Sequence, residues 1–237
     1  PFSYDAIKTS VEDGYREETR FGYFTRKFKF PAIKENGTTW MSITPHEINT
    51  MRQSINEAHG NVLVLGLGLG YYPYMISLKD EVASVDVIEI AKEPFDMFKA
   101  NILPLFEKKD KIHLFLIDAF LYLKNNSKKY DYVFVDLWHL PEDGLPLYTE
   151  IRRLEQPKTS YSYWIESDIL ILLRRAVLIL IDELNNSPDT CFEKGNDLTE
   201  DLLYEINMAS ENMTVINEED HRCAQAVQQV LPQIAQA

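Results

Sequence analysis

Four short apolar runs recur between residues 61 and 136, each separated from the next by a stretch with helical patterning. They are 61–65 (NVLVL), 84–90 (SVDVIEI), 112–117 (IHLFLI) and 131–136 (DYVFVD). Runs this short that are apolar on both faces suit strands covered on both sides. The segments between them, 71–79, 92–107 and 119–126, supply the crossovers that parallel pairing requires. The spacing therefore predicts an α/β fold: a doubly wound, mainly parallel Rossmann-like sheet with helices on both faces. A chain of 237 residues with 45% apolar and 26% charged residues can bury one sizeable core with a small appendage.

The flanking regions read differently. In 21–30 (FGYFTRKFKF), Phe24, Phe28 and Phe30 alternate with Lys27 and Lys29, which is strand behaviour. Asn36-Gly37 suits a tight hairpin turn, because both residues tolerate positive φ. Residues 20–44 thus predict a small antiparallel β-hairpin unit. Thr44-Pro45 opens a helix and Gly60 stops it, so that 1–58 form an N-terminal hairpin and helix ahead of a main domain over 59–237. Beyond Asp136 the patterns predict a helix at 145–155, a fifth strand at 159–167 and a long, largely buried helix at 168–184. An exposed loop at 185–197 and helices at 198–209 and 217–235 follow, leaving a sheet of five parallel strands and a helical C-terminal part.

Charge narrows the partners. With 37 acidic against 24 basic residues the net charge is −13, which opposes binding to nucleic acid and favours a neutral or cationic small molecule. No window reaches the roughly 18 uninterrupted apolar residues of a membrane span, and the richest, 169–181, is split by Arg174 and Arg175. The first residues carry no basic start followed by an apolar core, so a cytoplasmic location is expected. Cys191 and Cys223 lack any ligand spacing and read as two reduced thiols; no metal site is expected. Homodimerisation is left open.

Ligands of a parallel sheet gather beyond the carboxyl ends of its strands. Gly66, Gly68 and Gly70 stand at the end of the first strand, where missing side chains let a ligand approach the main chain. Such a G-x-G-x-G also suits plain close packing of strand against helix. Glu89 closes the second strand, nineteen residues past Gly70, where a carboxylate can accept both hydroxyls of a ribose. Asp86 is its rival, but lies inside the run. Asp118 follows the third strand and Asp136 ends the fourth; taken singly, each could simply cap a helix. Four successive strands ending in glycine or carboxylate on one sheet edge are harder to explain that way.

The stretches VLVLGLGLGYYPYM, VDVIEIAKEPFDMFKANI and IDAFLYLKNNSKKYDYVFVDLW resemble motifs of the class I S-adenosylmethionine-dependent methyltransferases, in particular their spermidine-synthase-like branch. The resemblance covers 40–138 and extends to 159–175. It implies S-adenosylmethionine as cofactor, with Gly66, Gly68 and Gly70 close to its methionine part. It also implies Glu89 on the ribose, Asp118 with the Ala119 backbone on the adenine, and Asp136 as the catalytic residue beside the acceptor. The aromatic residues Tyr71, Tyr72 and Trp138 are close enough in sequence to face a sulfonium, although aromatics at strand ends usually fill core.

Two departures weigh against polyamine synthesis. The turn GLGLGY has Leu67 and Leu69 where spermidine synthases carry an acid, and DLWHLPEDG replaces their serine- and aspartate-rich amine-binding sequence. Glu142 and Asp143 there read as a solvated loop. Motifs for methylating nucleic-acid bases are absent. The leading expectation is a methyltransferase acting on a small or medium-sized acceptor. The alternatives are an aminopropyltransferase and a noncatalytic nucleoside-binding scaffold with the same fold. A dinucleotide dehydrogenase fits less well, since Tyr71-Tyr72-Pro73 stands where a third glycine would come at the usual step. His139 as a base, His46 and Glu47 as a lid, and Glu166 on the acceptor side complete the candidates.

Overall fold

The computed structural model describes residues 2–3, 7–11, 14–18, 23–24, 27, 29–35 and 38–173. The chain divides into two compact units, Pro1–His139 with Glu150–Ile165, and Leu140–Thr149 with Glu166–Ala237. The first unit carries both the N-terminal strands and the sheet.

Its N-terminal stretch makes three antiparallel pairs. β1 (Phe2–Ser3) pairs with β4 (Tyr23–Phe24), β2 (Ile7–Val11) with β3 (Gly14–Glu18), and β5 (Ala32–Glu35) with β6 (Thr38–Ser42). The hairpin expected before residue 44 is β5–β6, with Ile33 opposite Met41; its turn, Asn36-Gly37, lies outside the described residues. Of the strand expected over 21–30, Tyr23–Phe24 form β4, while residues 21–22 and 25–26 lie outside the described residues. Lys27, Lys29 and Phe30 continue as non-strand chain, and Phe30 stacks on Phe24 with centroids 5.4 Å apart. Phe28 lies outside the described residues.

The main sheet contains β7 (Gly60–Leu65), β8 (Val82–Glu89), β9 (Ile112–Leu116), β10 (Tyr132–Val135) and β11 (Ser160–Tyr163). All neighbours are parallel, in the order β11-β10-β7-β8-β9, so the five-stranded doubly wound sheet is as expected. The chain starts in the centre and winds out to each edge in turn, which puts the switch point between β7 and β10. Along β7, Val62 and Val64 join a core with Met51, Ile55, Tyr72 and Ile76, while Leu63 and Leu65 point to the opposite face and are equally buried. That two-sided burial is why these strands read as unbroken apolar runs.

Helix α1 (Pro45–Glu57) begins with a capping box, in which Thr44 Oγ1 accepts from the Glu47 amide and Glu47 Oε2 accepts from the Thr44 amide. A hydroxyl network ties it to α2 (Tyr71–Ser77) and β10: Ser54 Oγ lies 2.7 Å from Tyr72 Oη and accepts from Tyr132 Oη at 3.2 Å. At its far end, Lys79 Nζ donates to the carbonyls of Ile55, Asn56 and Ala58 at 2.8, 2.6 and 2.7 Å, capping a helix terminus that carries no basic residue of its own.

The helix expected over 92–107 is α-helical only as α3 (Lys92–Met97). Pro104 has no N–H to return to the carbonyl four residues back, and the ladder slips through a π-helical turn at Phe98–Ile102 into a 3₁₀ turn at Leu103–Leu105. α4 (Ala119–Asn125) matches its expectation. α5 (Pro141–Arg152) starts earlier than expected and takes in Glu142 and Asp143, which the sequence placed in a loop; Asp143 Oδ1 accepts the Leu140 amide at its start. The fifth strand stops at Tyr163, because Trp164 and Ile165 turn, with Ile165 at φ 49°, into a helix over 166–173. The remainder of the 168–184 helix, the 185–197 loop, both later helices, Arg174, Arg175, Cys191 and Cys223 lie outside the described residues. Among the described residues no helix is long and apolar enough to cross a membrane.

Replacing Lys79 with Met keeps the stem and removes the ammonium from three carbonyls. We expect a loss of about 1.5 to 3 kcal/mol in unfolding free energy, measured by urea denaturation.

Candidate functional site

Beyond Leu65 the backbone turns through Gly66, Gly68 and Gly70 at φ 99°, 52° and 79°, all in the left-handed region. Two of these positions admit no side chain for a further reason. A Cβ at Gly66 would run into the main-chain oxygen of Asp136, and one at Gly70 into the Phe98 ring. The glycines are thus required by conformation and by packing.

Glu89 ends β8 and folds toward this turn. Its Oε2 accepts from the Leu67 amide at 3.1 Å and its Oε1 from the Ala91 amide at 2.7 Å, while the Gly66 amide donates to Ile88 O at 2.9 Å. Asp86 behaves differently. It is 2% exposed and accepts from Lys128 Nζ at 2.6 Å and Tyr130 Oη at 2.7 Å, with His113 Nδ1 at 3.0 Å. Burial pushes its carboxyl up, but these hydrogen bonds more than offset that and hold it below the usual range. Asp86 is the hub of a structural ion-pair network.

Asp136 follows β10 directly, its amide donating to Leu65 O at 2.8 Å. Among the described residues its carboxylate receives no hydrogen bond. Burial, together with the negative charges of Glu47 and Glu89, pushes its pKa up to about 7. Glu47 is raised as well, by burial, although hydrogen bonds from the Ser42 hydroxyl and the Thr44 amide act against the rise.

Two clefts meet at the turn. The larger, about 610 Å³ with its open mouth, is lined by Ile33, Met41, Gly66, Gly68, Glu89, Ile90, Pro94, Asp136, Leu137, Trp138 and His139. The smaller, about 380 Å³, is bounded by Met41, Glu47, Tyr71, Tyr72, Gly66, Gly70 and Asp136 among others. Among the described residues neither lining contains a Lys or an Arg, so Glu47, Glu89 and Asp136 face the clefts without a described Lys or Arg beside them.

The remaining candidates scatter. Asp118 Oδ1 caps α4 by accepting from Leu121 N at 2.8 Å, and neither Asp118 nor Ala119 lines these clefts. Asp118 still sits on the same sheet edge, since the neighbouring Ile117 amide donates to Glu89 O. Tyr72 stacks on Phe134 with centroids 3.8 Å apart and belongs largely to the core. Trp138 is buried, its Nε1 donating to Trp164 O, while His139 is exposed at the larger cleft. His46 is exposed beside Glu47. Glu166 lies in the second unit, accepting from Tyr148 Oη at 2.9 Å. Sequence reasoning missed Met41, because a Met on a hairpin strand looks like ordinary core. Among the described residues no group of three or more His, Cys, Asp or Glu is placed to hold a metal ion.

Solved structures with a similar sheet include the CcbJ methyltransferase from Streptomyces caelestis, with 15% identity over 48% of this chain and 49% of that one, at a TM-score of 0.37. Spermidine synthase from Thermotoga maritima shows 13% identity over 48% of this chain and 42% of that one, at 0.36. The Trypanosoma brucei PRMT1 enzyme-prozyme complex with AdoHcy shows 16% identity over 48% and 36%, at 0.37. The matched part spans less than half the length of each of these three chains. No protein-family model and no curated protein matches this chain. At such scores the likeness is one of outline, and chemistry rests on the residues of the site itself.

The raised Asp136 pKa makes a signed prediction. Between about pH 4 and pH 7 the folded chain holds a proton that the unfolded chain has released, so Asp136 lowers stability as pH rises through that window. Asp136→Asn should therefore unfold at higher urea than the parent at pH 8, by about 2 to 4 kcal/mol, and the difference should shrink toward pH 4.

Proposed function

We propose that this protein is an S-adenosylmethionine-dependent methyltransferase acting on a small or medium-sized acceptor. The observation that carries the reading is Asp136: a carboxylate with no hydrogen bond among the described residues, at the switch point of the sheet, facing a glycine turn and raised to about 7. Structural acids are normally paired, as Asp86 is, and a raised, cleft-facing acid fits a group that exchanges protons with a ligand.

The residues around it fit the cofactor. Gly66, Gly68 and Gly70 leave the main chain bare, and Glu89 is already turned toward them with each carboxylate oxygen using a single hydrogen bond. These four would hold the methionine and ribose parts, with Asp118 and Ala119 on the base. When bound, the cofactor supplies an electrophilic methyl group on a cationic sulfur. The described lining, free of Lys and Arg, suits that charge.

The acceptor would lie in the larger cleft, against Leu137 and Trp138, with its nucleophilic atom hydrogen-bonded to Asp136. Near neutral pH, an Asp136 carboxylate can take the proton that the acceptor must lose, and the surrounding apolar side chains limit competing water.

Titration calorimetry tests this. S-adenosylmethionine and S-adenosylhomocysteine should bind, NAD should not, and Glu89→Ala should weaken the first two by about tenfold or more. A preference for decarboxylated S-adenosylmethionine would transfer the assignment to aminopropyl chemistry. Failure of every nucleoside to bind would overturn it.

A further inference from the structure

The side chain that fills the glycine turn belongs to neither of the strands that form it. Met41, on β6, lays its thioether against the loop: Sδ accepts the Leu69 N–H, and its terminal methyl occupies the space where a Cβ at Gly68 would project. Met41, Gly66 and Asp136 are the residues that the two clefts have in common, so Met41 stands between the clefts at the turn. The missing side chain at Gly68 therefore leaves room that Met41 takes up.

We propose that Met41 is a gate residue, which any ligand seated on the main chain at Gly68 must displace. The proposal rests on reading the turn as the nucleoside site. Two properties make methionine suited to this place. Its unbranched chain has three rotatable bonds, so it can leave by rotamer change without moving backbone. Its sulfur is a weak acceptor, so a ligand oxygen competes successfully for the Leu69 N–H. Until that exchange occurs, the binding-competent state is a fraction of the whole, and apparent affinity falls by that fraction.

The test uses the full chain with S-adenosylhomocysteine as probe. By calorimetry, Met41→Ala should bind on the order of tenfold more tightly than the parent, since no side chain has to be expelled. Met41→Leu, which keeps the bulk, should stay within about twofold of the parent. A second measurement follows the parent protein itself: the ¹³C-methyl resonance of Met41 should move to a mobile, solvent-like position on saturation, and the Leu69 amide should change its shift with it. Equal affinity of parent and Met41→Ala, with binding intact, would overturn the gate and leave the nucleoside site standing. Saturation that leaves the Met41 methyl unmoved would do the same, even if Met41→Ala does not fold. Absence of binding by all three proteins would overturn the nucleoside reading and the gate with it.

Discussion

The bond from the Leu67 amide to the Glu89 carboxylate holds the sheet edge in shape. It ties the end of β8 to the turn that follows β7, next to the main-chain bond from Gly66 to Ile88. Glycines at positive φ direct the loop into that grip, and the Asp136 carbonyl presses on Gly66 from the other side. Three consecutive spatial strands, β10, β7 and β8, therefore meet at one point. Among the described residues, no Lys or Arg lines the clefts that open there.

Asp86 and Asp136 show how one residue type is used in opposite ways within a single sheet. Asp86 is surrounded by Lys128, Tyr130 and His113, and its charge is held in place. Among the described residues Asp136 has Glu47 and Glu89 as electrostatic company, and its charge is resisted. A scaffold that tolerates the second must be secured elsewhere. The hydroxyl network of Ser54, Tyr72 and Tyr132 and the threefold Lys79 cap do this beneath and behind the turn, with hydrogen bonds that carry no net negative charge into the clefts.

The parallel sheet could be read from the chain because strands such as 61–65 and 131–136 bury both faces, and burial on both faces leaves its mark residue by residue. The glycines and Glu89 were legible for a related reason: their spacing is set by one strand–helix–strand unit. Other features depended on partners far away in the sequence. The 92–107 helix, by contrast, changes pitch for a local reason, where Pro104 interrupts it. Asp118 was named from its place at a strand end, yet its carboxylate caps α4, which strand-end position alone does not distinguish from ligand contact. The environment of Asp136 arises from Glu47 and Glu89, which are remote in sequence, and Met41 reaches the turn from a separate hairpin.

Helix α1 is pinned at both ends: by the Thr44–Glu47 pair at its start, and by Ser54 and Lys79 at its last turn. The hairpin before it is closed at its base by the Ile43 amide on Pro31 O, one residue ahead of the Thr44 cap. Met41, borne on this hairpin, lines both clefts, so a strand outside the parallel sheet supplies a wall to each of them.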